Sequence, residues 1–227
     1  MRILETLYPT DNWAHSMTSF EVLISTILSQ NTTVANERRG LEGLRRRFGR
    51  VAPGVLAAAK VRDIERAIYH AGLARQKAPR IHAVAREVLK TWGGDLNSIT
   101  IRPTAEAREI LMALPGVGPK TADVVLAMAG GRPIFPIDTH IARIADRWNL
   151  VRRGGYEATR AVLETWTPPR KRRRWHLAII AHGRSLCKAR KPLCGSCPAR
   201  RDCDWYHRIR TPRTRKALEK ARNPRRR

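Results

Sequence analysis

The sequence is short of acidic residues and of long apolar stretches, and each shortage excludes a class of protein. Only 19 of its 227 residues are Asp or Glu, against 45 Lys and Arg, which leaves a formal net charge of +26. No stretch approaches the roughly 20 apolar residues of a transmembrane helix, and the N-terminus lacks the pattern of a secretory signal. We expect a cytoplasmic protein, not a membrane protein, and the excess of positive charge favours nucleic acid as its partner.

Cysteine is also scarce, and the few present stand close together near the C-terminus. Their spacing is C-x6-C-x2-C-x5-C, and in a reducing compartment such clusters bind metal more often than they form disulfides. Structural zinc sites usually present two short pairs, whereas this spacing has one. Four thiolates suit a [4Fe-4S] cluster, although ligand type alone leaves zinc as an alternative. The predicted ligands are Cys187, Cys194, Cys197 and Cys203.

The loop between the first two cysteines is basic. It carries Lys188, Arg190 and Lys191. Folding this loop around a metal would fix three cations in space, so we predict that the metal is structural and that the loop binds DNA phosphates.

The apolar pattern predicts an all-α fold. Residues 18–21 form a capping box, Thr-x-x-Glu, ahead of an apolar run. Four later segments repeat apolar residues at i, i+3, i+4 and i+7, the spacing of an amphipathic helix, and none shows the alternation of a strand. These segments are 64–71, 81–88, 122–129 and 141–148.

Two further runs are strongly basic. Ten of the twenty residues in 208–227 are Lys or Arg, and apolar residues are scarce there, so we predict a disordered basic tail. The run 170–174 is also basic. Either run is typical of a solvated surface that adds non-specific affinity for phosphates.

Residues 111–122 predict two helices joined by a tight turn, Leu114-Pro115-Gly116-Val117-Gly118. Because its two glycines lack side chains, backbone N–H groups beside a helix start can approach a phosphate oxygen closely. This is the pattern of a helix-hairpin-helix DNA clamp. A purely structural αα-hairpin is the alternative, because short connections are common between helices.

Lys120 stands in the first turn of the second helix of this hairpin, where structural helices prefer Asp or Glu. The positive end of the helix dipole disfavours the ammonium form there, and a neutral amine is a nucleophile. The competing interpretation is a surface lysine that tolerates a penalty of about 0.3 to 1 kcal/mol. Physical arguments alone leave the two about equal.

Asp138 stands directly before the segment 141–148, in Ile-Asp-Thr-His. Its default role is an N-cap that accepts a backbone N–H. A carboxylate held in this way is also able to take a proton from a lysine or to steady positive charge at a sugar.

Together, the hairpin with Lys120, the Asp138-Thr139-His140 sequence, and His182-Gly183 ahead of the cysteine spacing closely resemble the endonuclease III family of helix-hairpin-helix DNA glycosylases. The resemblance runs from about residue 20 to residue 206. It implies two helical domains, with the DNA cleft between them and a [4Fe-4S] cluster in the second. The implied domains are 18–132, with the hairpin at about 107–130, and 1–17 plus 133–207.

The resemblance also implies a mechanism for a monomer acting on double-stranded DNA. Lys120 is the Schiff-base nucleophile and Asp138 its carboxylate partner. The damaged base, expected to be an oxidised pyrimidine, is flipped out, and residues from two loops fill the gap. These wedge residues map to Gln30 or Asn31 and to Leu73, and the clamp contacts map to Leu114, Gly116, Val117 and Gly118.

Two departures from the family pattern affect the expected base preference. The first wedge loop has Ser-Gln-Asn-Thr-Thr at 29–33 instead of Ser-Ala-Gln-Ala-Thr, and Met112 stands where bacterial members often carry Glu. Three hypotheses therefore stay open. They are a bifunctional glycosylase and lyase, which Lys120 favours, a monofunctional mismatch or adenine glycosylase, and a DNA-binding module without catalysis.

Overall fold

The computed structural model describes residues 1–8, 14–152 and 154–210, and every regular element in these ranges is helical. The prediction of an all-α fold is confirmed. The chain divides into two compact units, Asn12–Pro136 and Met1–Asp11 with Ile137–Arg227. The boundaries predicted from the sequence, 18–132 and 1–17 plus 133–207, remain a prediction. Within the described ranges, no helix is long and apolar enough to span a bilayer.

The first unit contains eight α-helices in its described residues and one short 3-10 helix, Tyr69–Ala71. The α-helices are α2 (Ser19–Leu28), α3 (Val34–Phe48), α4 (Pro53–Ala58), α5 (Val61–Ala67), α6 (Ala74–Trp92), α7 (Asn97–Thr100), α8 (Thr104–Ala113) and α9 (Pro119–Met128).

The second unit begins with α1 (Arg2–Leu7), which packs against α12 of the same unit. Its other described α-helices are α10 (Thr139–Arg147), α11 (Tyr156–Trp166), α12 (Arg172–Ser185) and α13 (Asp204–Arg210). Three 3-10 helices complete it, Pro169–Lys171, Cys194–Ser196 and Arg200–Asp202.

Helix α2 is the core of the first unit, because nearly all of its side chains are buried and it packs against α3, α6 and α9. Such burial is typical of a helix in the interior of a domain. It begins with the predicted capping box, which is confirmed. The Thr18 hydroxyl accepts from the Glu21 N–H, and the Glu21 carboxylate accepts from the Thr18 N–H.

The prediction of one helix through 64–71 is wrong. Helix α5 ends at Ala67, and the segment continues as the 3-10 helix Tyr69–Ala71 before Gly72 turns to a φ of +70°. The apolar repeat correctly identifies Ile64, Ile68 and Ala71 as buried, but a 3-10 turn satisfies that pattern too. Helix α3 approaches this segment closely, since a Cβ at Gly43 would overlap the carbonyl oxygen of Ala67.

The predicted basic tail begins too early. Helix α13 extends to Arg210, and Arg208 Nε lies 3.0 Å from a carboxylate oxygen of Asp204, an i,i+4 pair on the helix surface. Residues 208–210 are therefore helical, because local pairing of opposite charges supports a last turn that composition alone does not reveal. Residues 211–227 lie outside the described residues.

Candidate nucleic-acid interface and active site

The turn between α8 and α9 exposes backbone, not apolar side chains. Leu114 and Val117 are only 2% and 5% exposed, so their side chains anchor the turn in the core. Gly116 is exposed and has a φ of +72°, a conformation that L-residues rarely adopt. Of the predicted clamp residues, Leu114 and Val117 can therefore offer only main-chain groups, together with Gly116 and Gly118.

Helix α9 begins without a side-chain cap. Gly118 is its N-cap, with extended backbone, and Pro119 follows at the first helical position. The aligned peptide dipoles of a helix leave partial positive charge at its first turn. The start of α9 therefore has the polarity of an anion site.

Lys120 occupies the second position of α9 and is half-buried. This position in the first turn agrees with the prediction from the sequence. Its neighbours Thr121 and Ala122 donate their N–H groups to the Gly118 carbonyl, both at 3.0 Å, which closes the first turn. The lysine is thus mounted on a rigid helix at the end of the hairpin turn.

A buried ion pair joins the two helices of the hairpin. Arg108 on α8 donates from Nε to a carboxylate oxygen of Asp123 on α9 at 2.7 Å, and the Asp123 side chain is fully buried. Removing one partner of such a pair leaves an uncompensated buried charge, so the pair fixes α8 against α9. Sequence reasoning missed it, although a carboxylate in the apolar repeat 122–129 was a signal.

Asp138 caps α10, as its position in the sequence predicted. Its carboxylate accepts from the Ile141 N–H at 2.8 Å, and the side chain is half-buried. The preceding residues Ile134, Phe135 and Ile137 are buried, so the chain enters the helix along a fixed path. The carboxylate is therefore held in one orientation by its own helix.

His140 follows in the first turn of α10. Burial lowers the pKa of His140, and the negative charge of Asp138 acts in the opposite direction. Its Nδ1 lies 3.0 Å from a guanidinium nitrogen of Arg143, so this ring nitrogen accepts. The lowered pKa favours the neutral form of the imidazole.

The four cysteines are free thiols, with Cys203 buried and the other three half-buried. Burial raises the pKa of Cys194, Cys197 and Cys203, and the charges of neighbouring cysteines add to this effect. The four sulfurs are thus close enough to repel one another as thiolates. Across the described ranges, no three Cys, His, Asp or Glu side chains already stand in a metal-binding arrangement.

The donor set nevertheless fits a cluster of thiolate-bound iron. A bound cation would offset the mutual repulsion of the four thiolates. Arg147 already brings positive charge to Cys187. Its Nη1 lies 3.1 Å from Cys187 Sγ.

Two arginines of α10 donate hydrogen bonds to the cysteine loop, and sequence reasoning missed both. Arg147 is buried, donates to the carbonyls of Lys188 and Ala189, and lies over the Trp205 ring. Arg143 donates to the Cys187 carbonyl. In so basic a chain, no sequence signal separates these arginines from solvated ones.

The predicted phosphate-binding residues of this loop are all exposed. They are Lys188, Arg190 and Lys191. The loop backbone is fixed by Arg147, and Lys191 adopts a φ of 51°. The three cations therefore extend from a main chain that Arg147 holds in place.

The predicted wedge residues lie on two neighbouring turns of the first unit. Asn31 is exposed and Gln30 half-buried in the turn after α2, and Leu73 is 45% exposed before α6. Both Asn31 and Leu73 have a φ of 53°, a left-handed conformation that is uncommon for residues other than glycine. A Cβ at Gly72 would lie 3.6 Å from the Thr32 hydroxyl, so the two turns are adjacent.

Comparison with known proteins identifies the family. Residues 24–169 match the HhH-GPD superfamily of base excision DNA repair proteins. The chain is 34% identical over 189 residues to endonuclease III of Thermotoga maritima, covering 83% of this chain and 84% of the relative. It is 32% identical over 190 residues to endonuclease III of Escherichia coli, covering 84% and 85%.

The chain belongs to the endonuclease III family. A solved structure of a trapped covalent intermediate between endonuclease III and DNA is similar in fold, with a TM-score of 0.79 and 29% identity over 92% of this chain and 95% of that one. A thermostable thymine-DNA glycosylase, at 24% identity and a TM-score of 0.77, shares the fold. The family assignment confirms the resemblance on which the site residues were chosen.

Proposed function

We propose that this endonuclease III family member removes oxidised pyrimidines from double-stranded DNA and nicks the strand through Lys120. The protein is a base excision repair DNA glycosylase with abasic-site lyase activity. The observation that carries the role of Lys120 is its place at the uncapped start of α9, directly after the exposed turn at Gly116. The similar fold of a relative trapped covalently on DNA supports a covalent mechanism. An intracellular, nucleoid-associated location is part of the proposal.

Lys120 forms the covalent bond in this mechanism. Its Nζ attacks the sugar C1′ as the glycosidic bond breaks, and the base leaves with a proton. Opening of the sugar ring gives an imine between Lys120 and C1′. Loss of a C2′ proton then expels the 3′ phosphate by β-elimination, which nicks the strand.

Asp138 supplies the carboxylate of the mechanism. Its N-cap bond to Ile141 holds it in place, so no reorganisation is needed when positive charge develops on the sugar. It is also able to accept the proton that Lys120 loses. The role of the backbone turn with Gly116 and Gly118 is to hold a phosphate near the lesion.

The cysteines hold a [4Fe-4S] cluster in this proposal, with Cys187, Cys194, Cys197 and Cys203 as ligands. The cluster supplies structure, because it locks the loop that presents Lys188, Arg190 and Lys191. Iron analysis of the purified protein tests this, with about four atoms per chain expected. One zinc per chain in fully active protein would contradict it.

A panel of duplexes, each with one lesion, tests the proposed function. With an oxidised pyrimidine we expect a nicked strand without added alkali, because elimination follows base release on the enzyme. A nick that appears only after alkali would indicate a monofunctional glycosylase. No product from any lesion and no reaction with an abasic site would leave a DNA-binding module.

A further inference from the structure

Lys77 in α6 is only 1% exposed, although it carries a long charged side chain. Its ammonium donates to the carbonyl of Leu28 at 2.7 Å and to the carbonyl of Ala71 at 2.9 Å. Leu28 is the last residue of α2, and Ala71 is the last residue of the 3-10 helix. One side chain therefore bonds the ends of two separate segments.

Each of these carbonyls closely precedes a predicted wedge turn. The turn after Leu28 carries Gln30 and Asn31, and the turn after Ala71 carries Leu73. The carbonyls at the end of a helix have no partner within the helix, so both need a donor when buried. Lys77 satisfies one carbonyl at the base of each turn.

Glycine contacts hold the same two segments close together. A Cβ at Gly40 of α3 would lie 2.7 Å from the Ala71 Cβ and 3.5 Å from Leu28. This close packing brings both carbonyls within reach of one side chain, and an ammonium with three donors bonds both at once. The two turns are thus both anchored to the Lys77 ammonium group.

Core packing alone does not explain a cation at this place. Burial lowers the pKa of Lys77, and the charge of Glu37 only partly opposes this effect. An apolar side chain of similar length would fill the space without the desolvation cost, but it would leave both carbonyls unsatisfied. What the ammonium adds is a defined distance between the two turns.

We propose that Lys77 is a positioning residue that holds the two wedge turns at the separation needed to enter the gap left by a flipped-out nucleotide. The inference rests on the proposed function. Lys77 acts on Gln30 or Asn31 and Leu73, and does not touch DNA. It therefore matters for a lesion that must be extracted from a paired duplex, and little for a nucleotide that is already unpaired.

The experiment compares wild-type protein with Lys77→Met. A duplex with a tetrahydrofuran abasic analogue opposite 2-aminopurine reports insertion through the fluorescence change on binding. Single-turnover excision is measured for the same lesion in a paired duplex and in an unpaired bulge. For Lys77→Met we expect a reduced fluorescence change and a roughly ten- to hundredfold loss in the paired duplex, the scale of a small misplacement, with far less loss in the bulge.

Three variants serve as controls. Lys90→Met removes an exposed lysine of the same helix and should leave both readouts unchanged. Val84→Ala destabilises α6 through a buried apolar residue, and it should lower the melting temperature without separating the two substrates. Leu73→Ala should reproduce the fluorescence loss. If Lys77→Met does not fold, Lys77→Gln takes its place with the same expected results.

A wild-type fluorescence change in the Lys77 variant would overturn the inference, and so would an equal loss on paired and bulged substrates. An unchanged signal in Leu73→Ala would also overturn it, because the turn would not be a wedge. Failure of the proposed function looks different. Wild-type protein would then release no base from any lesion, whatever the fluorescence showed.

Discussion

Helices α9 and α10 begin with nearly the same backbone geometry but with opposite charge. Gly118 and Asp138, their N-caps, have φ values of −97° and −107° and the same ψ of 179°. Asp138 satisfies its helix with its own carboxylate, whereas Gly118 offers none and is followed by Lys120. One helix start is capped by its own carboxylate, and in our proposal the other start holds a DNA phosphate.

The difference shows how one fold divides its tasks. An Asp N-cap stabilises a helix by only about a few tenths of a kcal/mol relative to a Gly N-cap. Helix α9 forgoes that stabilisation at the turn where the backbone is exposed, and the buried pair between Arg108 and Asp123 holds the hairpin instead. Substitutions at each helix start in turn therefore distinguish effects on catalysis from effects on folding.

Removing the amine at the start of α9 has the largest expected effect. Lys120→Gln should abolish both the nick and the covalent adduct that sodium borohydride forms during reaction with abasic duplex, because no imine exists to reduce. Binding to abasic DNA should persist, since the turn and the basic loop are unchanged. Lys90→Met, an exposed lysine elsewhere, should trap like wild type.

Removing the negative charge of Asp138 at the start of α10 has the next largest expected effect. Asp138→Asn keeps an N-cap, because Asn is about as good as Asp there, so the melting temperature should change little. Base excision should fall by about 10² to 10⁴, the range for a lost acid-base group, with less effect on a preformed abasic site. If Asp138→Asn excised the base at the wild-type rate, Asp138 would serve only as the N-cap of α10.

Closing the start of α9 tests the comparison from the other side. A Cβ at Gly118 meets no atom within 4 Å, so Gly118→Asp fits without strain and should cap the helix. A carboxylate beside a phosphate should lower affinity for abasic duplex about tenfold, which corresponds to about 1.4 kcal/mol. Gly118→Asn, a neutral cap, is the control. Equal affinity for both variants would mean that the turn does not bind phosphate.

Deleting residues 211–227 has the smallest expected effect on chemistry. The single-turnover rate should be retained, while affinity falls and its salt dependence becomes shallower, by about 0.9 in slope for each phosphate that the shortened protein no longer binds. The phosphates that are still bound then contact residues 1–210. An unchanged slope would show that this segment does not touch DNA.

The sequence predicted the helices that obey a simple periodicity and the residues that stand at their starts. The capping box at Thr18 and the cap at Asp138 could be predicted because they depend on local hydrogen bonds. The break after Ala67 could not, because a 3-10 turn buries Ile68 and Ala71 as a continued helix would.

The buried cations were beyond sequence reasoning for a different reason. Lys77 and Arg147 are buried because they satisfy carbonyls far away in the chain, of Leu28 and Lys188. In a chain with 45 Lys and Arg, nothing local distinguishes these two from solvated residues. Long-range satisfaction of buried polar groups is a property of the fold.

Peptide mapping of the borohydride adduct tests the central claim most directly. The wild-type protein is trapped on an abasic duplex, digested, and the modified peptide is sequenced by mass spectrometry. We predict that the sugar remnant is attached to Lys120, in the first turn of α9. Attachment to the N-terminal amine or to another lysine would contradict the assignment of Lys120 as the nucleophile.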